Sequence, residues 1–416
     1  MPANLFKRTI ISSIEQFIDS PDIIVLHGSR QVGKTSIMLY LINHLKNLNY
    51  DTFYIDLEDL RFTGILDSGA KNLLKYLEEN SIIKNEKLYL FIDEIQYLEN
   101  PSNILKILHD HYSERIKLFV SGSSTFAIKS KFKNSLAGRT INFEIFPLSF
   151  REYLLFKGST IDISEKISSS VTTNELKDLY TDYIIYGGYP RIVLEKEIQK
   201  KEMLLQQIID TYIRKDIRDI GDIRDINKFN ILLEILASQS GNIINVNELA
   251  STARISRQTV EHYLFLLENT YIIRLVRPYS RNIRSELIKS PKVFLYDSGI
   301  TSLLWIKTFP NTILGSLFET SVFSELVKTT KKSEIYYWRT KDKKEIDFIL
   351  RKENTLSPIE VKLSAIHLKN TAINYFTKNY ACEKSYCISL NIEGGKKEDV
   401  EFLYPWEIDS IIGEDM

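Results

Sequence analysis

The sequence predicts a multidomain α/β protein: a parallel-sheet nucleotide-binding core, a helical segment, a helix-turn-helix and a second α/β core. Three observations carry that expectation. HGSRQVGKTS, 27–36, sets a glycine-rich loop between an apolar strand and an amphipathic helix. NVNELASTARISRQTVEHYLFLLENTYIIRLV, 245–276, spaces its apolar residues for two short helices about a tight turn. IDFILRKENTLSPIEVK, 346–362, carries an Asp, a Glu and a Lys on two apolar strands, where a plain core hairpin has no use for them.

Composition sets the bounds. The 416 residues, 44% hydrophobic and 26% charged, are ordinary for a globular protein and leave room for two to four domains. The 54 basic and 54 acidic residues cancel, so nucleic-acid contact has to come from a local patch and a DNA-packaging role is disfavoured. Cys382 and Cys387 are too few for a disulfide framework and lack metal-ligand spacing, which suits a reducing cytoplasm. The N-terminal stretch MPANLFKRTIISSIEQFIDS has charges within its apolar pattern and reads as neither signal peptide nor anchor. No apolar run reaches the roughly eighteen residues a membrane-spanning helix needs.

Four segments follow from the pattern. In 1–155, DIIVLHG, TFYIDLE, KLYLFIDE and IKLFVSGSS alternate with helix-period stretches, as in a parallel sheet. Residues 156–215 read as a helical lid or linker, entered through the polar GSTIDISEKISSSVTTNELKD. The helix-turn-helix occupies 216–284. From 285 to 416, KVFLYD, IYYWR, IDFIL, IEVK and SYCIS surround helices near 316–328 and 366–379.

The loop Gly28-Ser29-Arg30-Gln31-Val32-Gly33-Lys34-Thr35, followed by Ser36, fits G-x4-G-K-[ST]. Its backbone N–H groups wrap phosphates at a helix N-terminus, Lys34 balances their charge, and the Thr35 hydroxyl ligates Mg²⁺. LYLFIDE, 88–94, brings Asp93 and Glu94 to the tip of a buried strand, where ligands of open α/β sheets bind. Asp93 is then a Mg²⁺ ligand and Glu94 the group that polarises the attacking water. KLFVSGSS ends in Ser121, Ser123 and Ser124, polar groups placed to sense a γ-phosphate. The chemistry predicted is Mg²⁺-dependent ATP binding and hydrolysis.

In the helix-turn-helix, Asn245 or Asn247 caps the first helix and Ser256 the second. The second helix turns Arg257, Gln258, Glu261 and His262 outward, and the first two suit bases or phosphates. Arg274, Arg277, Arg281, Arg284, Lys289 and Lys292, against Glu286, make a basic wing. DNA is the expected partner, with RNA also compatible and an interdomain module the other reading. IRKDIRDIGDIRDINKF, 213–229, alternates charge like a salt-bridged solvated stretch.

In the 346–362 hairpin, residues two apart share a face, so Glu360 and Lys362 project together. A turn at Glu353-Asn354 sets Asp347 opposite Glu360 with Cβ atoms about 5 Å apart. Two such carboxylates repel, and a divalent cation relieves the repulsion. Lys362 adds positive charge for a metal-bound water or a phosphate oxyanion.

The order of these elements, with SLAGRTINFEIFPLSFREYL, 135–154, and GGYPRIV, 187–193, resembles the AAA+ type ATPases of archaea and bacteria. That resemblance implies Arg139 as a charge-stabilising finger, although arginine is also a common structural ion-pair residue. A finger acting in trans implies a homo-oligomer. Residues 245–276 resemble a winged helix-turn-helix. LGSLFETSVFSELVK with Glu319, then Asp347, then Glu360-x-Lys362 resemble the PD-(D/E)xK restriction-endonuclease-like fold, with Ile346 where that family has Pro. The combination implies a cytoplasmic ATPase whose nucleotide state controls DNA binding and phosphodiester cleavage. The alternative is a nucleotide-switched DNA-binding or signalling protein with a catalytically silent nuclease-like domain.

Overall fold

The computed structural model describes residues 5–84, 87–122, 136–211, 223, 225–280, 289–330, 335–353, 355–395 and 399–412. The chain divides into two compact units, Met1–Phe146 with Asn269–Tyr271, and Pro147–Glu268 with Ile272–Met416. Among the described residues, no helix is long and apolar enough to cross a membrane.

The first unit is built on five parallel strands: β1 (Ile23–His27), β2 (Asp51–Asp56), β3 (Leu88–Asp93), β4 (Ile116–Gly122) and β5 (Thr140–Glu144), in the order β2-β3-β4-β1-β5. Every residue of β1, β3 and β4 is buried, as parallel strands covered on both faces require. Because all five run the same way, their C-terminal ends share one edge. There β1 delivers the loop at Gly28, β3 delivers Asp93 and β4 delivers Ser121. Gly28 has no substitute, since a Cβ on it would collide with the Ile145 carbonyl. Gly33, at φ 99°, turns the chain into the helix Lys34–Asn47 through a conformation that favours glycine. At the opposite edge, the buried Lys117 ammonium donates to the carbonyls of Phe17, Ser20 and Asp22 at 2.7, 2.8 and 2.6 Å. It pins the turn that precedes β1.

The first compact unit ends at Phe146, and the residues that follow pack into the second. Phe150 opens the helix Phe150–Lys157, and its ring lies 4.7 Å from Tyr180, 5.6 Å from Tyr183 and 6.2 Å from Trp406. All three belong to the second unit. The segments 147–268 and 272–416 share that unit.

Asn245 caps Val246–Ala253, its Oδ1 accepting the Asn247 N–H at 2.9 Å, and Ser256 Oγ accepts the Thr259 N–H at 3.1 Å at the start of Arg257–Asn269. An antiparallel pair follows, β6 (Ile273–Val276) with β7 (Lys292–Leu295). KVFL therefore pairs with the strand that follows the helix Arg257–Asn269 rather than joining the C-terminal sheet that the sequence reading gives it to. That sheet holds β8 (Ile335–Arg339), β9 (Glu345–Lys352), β10 (Thr355–Ser364), β11 (Tyr386–Asn391) and β12 (Glu401–Leu403) in the order β12-β11-β10-β9-β8. β8, β9 and β10 are antiparallel neighbours, whereas β11 and β12 add in parallel. The ring of Phe294 on β7 stacks 4.5 Å from Phe323 on the helix Gly315–Thr329 and lies 5.3 Å from Phe348 on β9. These three rings weld β7 to the C-terminal sheet. Ser123, Ser124, Arg281, Arg284 and most of 213–229 lie outside the described residues.

The Gly187-Gly188 pair of the GGYPRIV stretch has a packing reason. The buried Asp297 carboxylate accepts the Gly188 N–H at 2.8 Å and caps the helix Ser298–Trp305 through the Ile300 N–H at 2.9 Å. Gly187, at φ +79°, faces it with no room for a Cβ. Gly187→Ala is expected to cost about 2 kcal/mol or more, whereas Gly315→Ala, which meets open space, stays within about 0.5 kcal/mol. Urea unfolding followed by tryptophan fluorescence checks this, because the three tryptophans, 305, 338 and 406, all lie in the second unit.

Candidate functional site

At the phosphate edge of the first unit, Lys34 is buried and its ammonium donates to the Gly28 and Ser29 carbonyls at 3.0 and 2.8 Å. Burial lowers its pKa to about 8, although the negative fields of Glu94 and Asp93 oppose that shift. Asp93, also buried, collects the surrounding donors. Thr35 Oγ1 and the Tyr54 hydroxyl donate to its Oδ2 at 2.7 and 2.8 Å. Ser121 Oγ donates to Oδ1, and the Glu94 N–H approaches both Oδ1 at 3.1 Å and Ser121 Oγ at 3.3 Å. Ser121 thus orients Asp93 in this arrangement. Thr35 and Asp93 supply adjacent hard oxygen donors, the set that fits Mg²⁺.

Glu94 adopts φ 55° and ψ 50°, a left-handed conformation uncommon outside glycine. Such outliers concentrate at functional sites. Burial raises its carboxyl pKa, Lys34 partly offsets the rise, and Gln96 Nε2 donates to Oε2. In the loop itself, Ser29 and Val32 are buried, Arg30 is half-buried, and Gln31, Thr35 and Ser36 are exposed.

Sequence reasoning missed the groups that brace this loop. Arg8 donates to the Val32 carbonyl at 2.8 Å and to the Phe146 carbonyl at 3.0 Å. His27, the residue before Gly28, has its Nδ1 2.5 Å from the Tyr271 hydroxyl, which donates to Glu144 at 3.0 Å. The tyrosine has one proton, so His27 Nδ1–H is the donor in the first bond. Nothing in the spacing of residues 8, 54 or 271 signals these contacts.

Arg139 lies away from the phosphate loop of its own chain. Its guanidinium pairs with Asp110 at 2.6 Å, and its carbonyl accepts the Ile23 N–H at 2.9 Å, at the entry end of β1. A five-residue strand spans about 13 Å, so Arg139 forms its ion pair at the edge opposite its own phosphate loop.

In the second unit, the β9–β10 register runs from Thr355↔Lys352 to Ile359↔Phe348, and one further step sets Glu360 opposite Asp347. The Val361 N–H donates to Asp347 Oδ2 at 2.9 Å. Lys362 Nζ lies 2.9 Å from that same oxygen and 2.6 Å from Glu360 Oε2. The three predicted residues therefore meet on one face. Glu319 comes to them through Lys292, a residue the sequence reading gives to the basic wing. Lys292 is 1% exposed, and its ammonium lies 2.9 Å from Glu345, 3.3 Å from Glu319 and 3.7 Å from Asp347 Oδ1. It is turned inward and is no wing cation. Glu345 was missed as well, although it lies two residues before Asp347 and so on the same face of β9.

Burial raises the carboxyl pKa of Glu360 to about 8 and that of Glu319 to about 7, with Asp347 adding to both shifts. Burial also pushes Asp347 upward, but Lys362 and Lys292 outweigh it and hold that carboxyl below its ordinary range. Oxygen donors of this kind suit a hard cation, yet ammonium groups already occupy them. Among the described residues, no group of three or more His, Cys, Asp or Glu is placed to hold a metal ion. Asp347 and Glu360, the pair expected to hold a metal ion, both face Lys362 here, and Lys292 faces the other oxygen of Asp347.

Residues 20–154 match the family described as an AAA domain, so the first unit is a P-loop ATP-binding core of the AAA class. Residues 177–309 and 314–408 match two families described as domains of unknown function, DUF8612 and DUF4143. The uncharacterized protein MJ1544 of Methanocaldococcus jannaschii is 30% identical over 338 residues, spanning 79% of this chain and 72% of that protein. The chain belongs to the same family as MJ1544. An uncharacterized protein of Haemophilus influenzae is 26% identical over 367 residues, covering 86% of this chain and 87% of its own. Among solved structures, the Walker-type ATPase PABY2304 of Pyrococcus abyssi superposes with a TM-score of 0.45 at 13% identity, covering 72% of this chain and 96% of that one. AMPPCP-bound DnaA from Aquifex aeolicus gives 0.28 at 17% identity, covering 62% and 86%. Likeness at these scores carries no argument, and the class of the first unit stands on the family match and the loop geometry.

Lys34 must be charged to meet a phosphate. ATP affinity is therefore expected to be flat below about pH 8 and to fall by up to about tenfold per pH unit above it. Titration with a fluorescent ATP analogue checks this, and Lys34→Arg should remove the alkaline limb.

Proposed function

We propose that the first unit binds and hydrolyses Mg·ATP and that its nucleotide state governs nucleic-acid binding by the helix-turn-helix of the second unit. The observation that carries this reading is the Thr35–Asp93 hydrogen bond of 2.7 Å, with Glu94 next along the chain. Lys34 and the loop N–H groups would hold the phosphates, while Thr35 and Asp93 would hold the magnesium ion. That ion supplies positive charge to the phosphate oxygens as the terminal group departs. Glu94, its carboxyl pKa raised by burial, is the base that orients the attacking water.

The DNA-facing side is supported by exposure. Arg257, Gln258, Glu261 and His262 all face solvent, although Arg257 pairs with Glu261 at 2.9 Å and has to exchange that partner on binding. Tyr271 offers a route for coupling. It lies two residues beyond the helix Arg257–Asn269 and bonds to His27, which precedes the phosphate loop. A shift of the loop would reach the end of that helix along the chain.

Glu94→Gln is expected to lower ATP turnover by at least about a hundredfold while keeping nucleotide affinity, and Lys34→Ala to abolish binding. Unchanged hydrolysis in Glu94→Gln would remove Glu94 from its role. By fluorescence anisotropy, labelled DNA should bind with an affinity that differs between the free protein and its complex with a non-hydrolysable ATP analogue. Arg257→Ala should weaken that binding about tenfold. Equal DNA affinity with and without nucleotide would sink the switch.

A second reading, phosphodiester cleavage, is favoured by one observation: Asp347, Glu360 and Lys362 meet on one face. If it holds, Mg²⁺-dependent nicking of labelled DNA, with or without ATP, is lost in Asp347→Ala and Lys362→Ala. Absence of nicking by the wild-type protein would leave the switch alone.

A further inference from the structure

We infer that Lys292 is a built-in cation: its ammonium takes the place of a divalent metal among Glu319, Glu345 and Asp347 and keeps the C-terminal carboxylate cluster closed without metal. Four acids converge there, and two lysines divide them. Asp347 shows the division most plainly, since its Oδ2 faces Lys362 at 2.9 Å and its Oδ1 faces Lys292 at 3.7 Å. Lys362 also takes Glu360 at 2.6 Å, while Lys292 takes Glu345 at 2.9 Å and Glu319 at 3.3 Å. Arg339 reaches the far side of Glu345 at 3.5 Å.

The placement of Lys292 is as telling as its contacts. It does not belong to the sheet it neutralises. It opens β7, whose partner is β6, and its side chain is 2% exposed. An ammonium carried that deep is costly unless several carboxylates repay its desolvation. Conversely, Glu319, Glu345 and Asp347 crowded together without it repel one another as buried like charges do. A metal ion and Lys292 answer the same need, so they exclude each other.

This inference is independent of the proposed ATP switch, because it concerns only what balances the carboxylates, and it competes with cleavage, which needs a metal ion at the same acids. The test follows tryptophan fluorescence of the full chain in urea, in EDTA or in Mn²⁺, alongside direct Mn²⁺ binding by electron paramagnetic resonance. Wild-type protein is expected to unfold at the same midpoint in EDTA and in Mn²⁺. Lys292→Met should unfold earlier in EDTA, regain most of the loss in Mn²⁺, and bind Mn²⁺ at this cluster at least about tenfold more tightly than wild type. Lys292→Arg, which keeps the charge, should behave as wild type. Should Lys292→Met be too unstable to purify without metal, Lys292→Met combined with Glu319→Gln removes one acid with the ammonium and should restore folding in EDTA. Three outcomes overturn the inference: wild-type protein gains as much from Mn²⁺ as Lys292→Met, Lys292→Met loses nothing in EDTA, or neither Mn²⁺ nor Glu319→Gln repairs it. In every case ATP affinity should be unchanged, so a failed ATP switch would show separately as absent nucleotide binding in wild-type protein.

Discussion

A charged group buried in a protein survives only if its partners are gathered around it, and both sites of this chain are organised by that constraint. Asp93 ends a strand buried along its whole length. Desolvating a carboxylate there costs several kcal/mol unless donors replace the lost water. Thr35, Tyr54 and Ser121 replace it with hydroxyls, and Glu94 adds its N–H. Four separate elements are thereby held to one point, and that point is where the phosphate loop opens. The parallel sheet makes this possible by bringing β1, β2, β3 and β4 to a common edge.

The same constraint is met differently in the second unit. The carboxylates of Asp347, Glu360, Glu319 and Glu345 are balanced by the ammonium groups of Lys362 and Lys292. Neutral hydroxyls around Asp93 leave its full negative charge available to a cation, whereas ammonium groups spend most of the charge they touch. This contrast separates the two sites chemically, although both gather acids in the interior. It favours a cation at the first, whereas at the second Lys362 and Lys292 already face the acids.

Much of the design was legible in the residues. The phosphate loop, Asp93-Glu94, the Asn245 and Ser256 caps and the Asp347–Glu360 register all depend on neighbours close in sequence or on strand parity. Such features are short-range, and short-range geometry follows from residue type and spacing. Lys292 was misread because its partners, Glu319, Glu345 and Asp347, are 27 or more residues distant. A lysine at the start of an apolar strand looks like a solvated charge until the strand is seen to enter a second core. Arg8, Tyr54 and Tyr271 gave no signal, since a hydrogen bond to a distant carbonyl or carboxylate leaves no periodicity.

By itself, the chain's order of residues placed a phosphate loop in the first unit and an Asp, a Glu and a Lys on one hairpin of the second. It also determined the pairing within each hairpin and helix cap, because those are settled by turns of a few residues. Tertiary structure alone decided where the first unit ends, which way Arg139 and Lys292 point, and what offsets each buried charge. The physical reason is reach: electrostatic balance in an interior is struck between groups brought together by packing, and packing depends on the whole fold rather than on any local stretch.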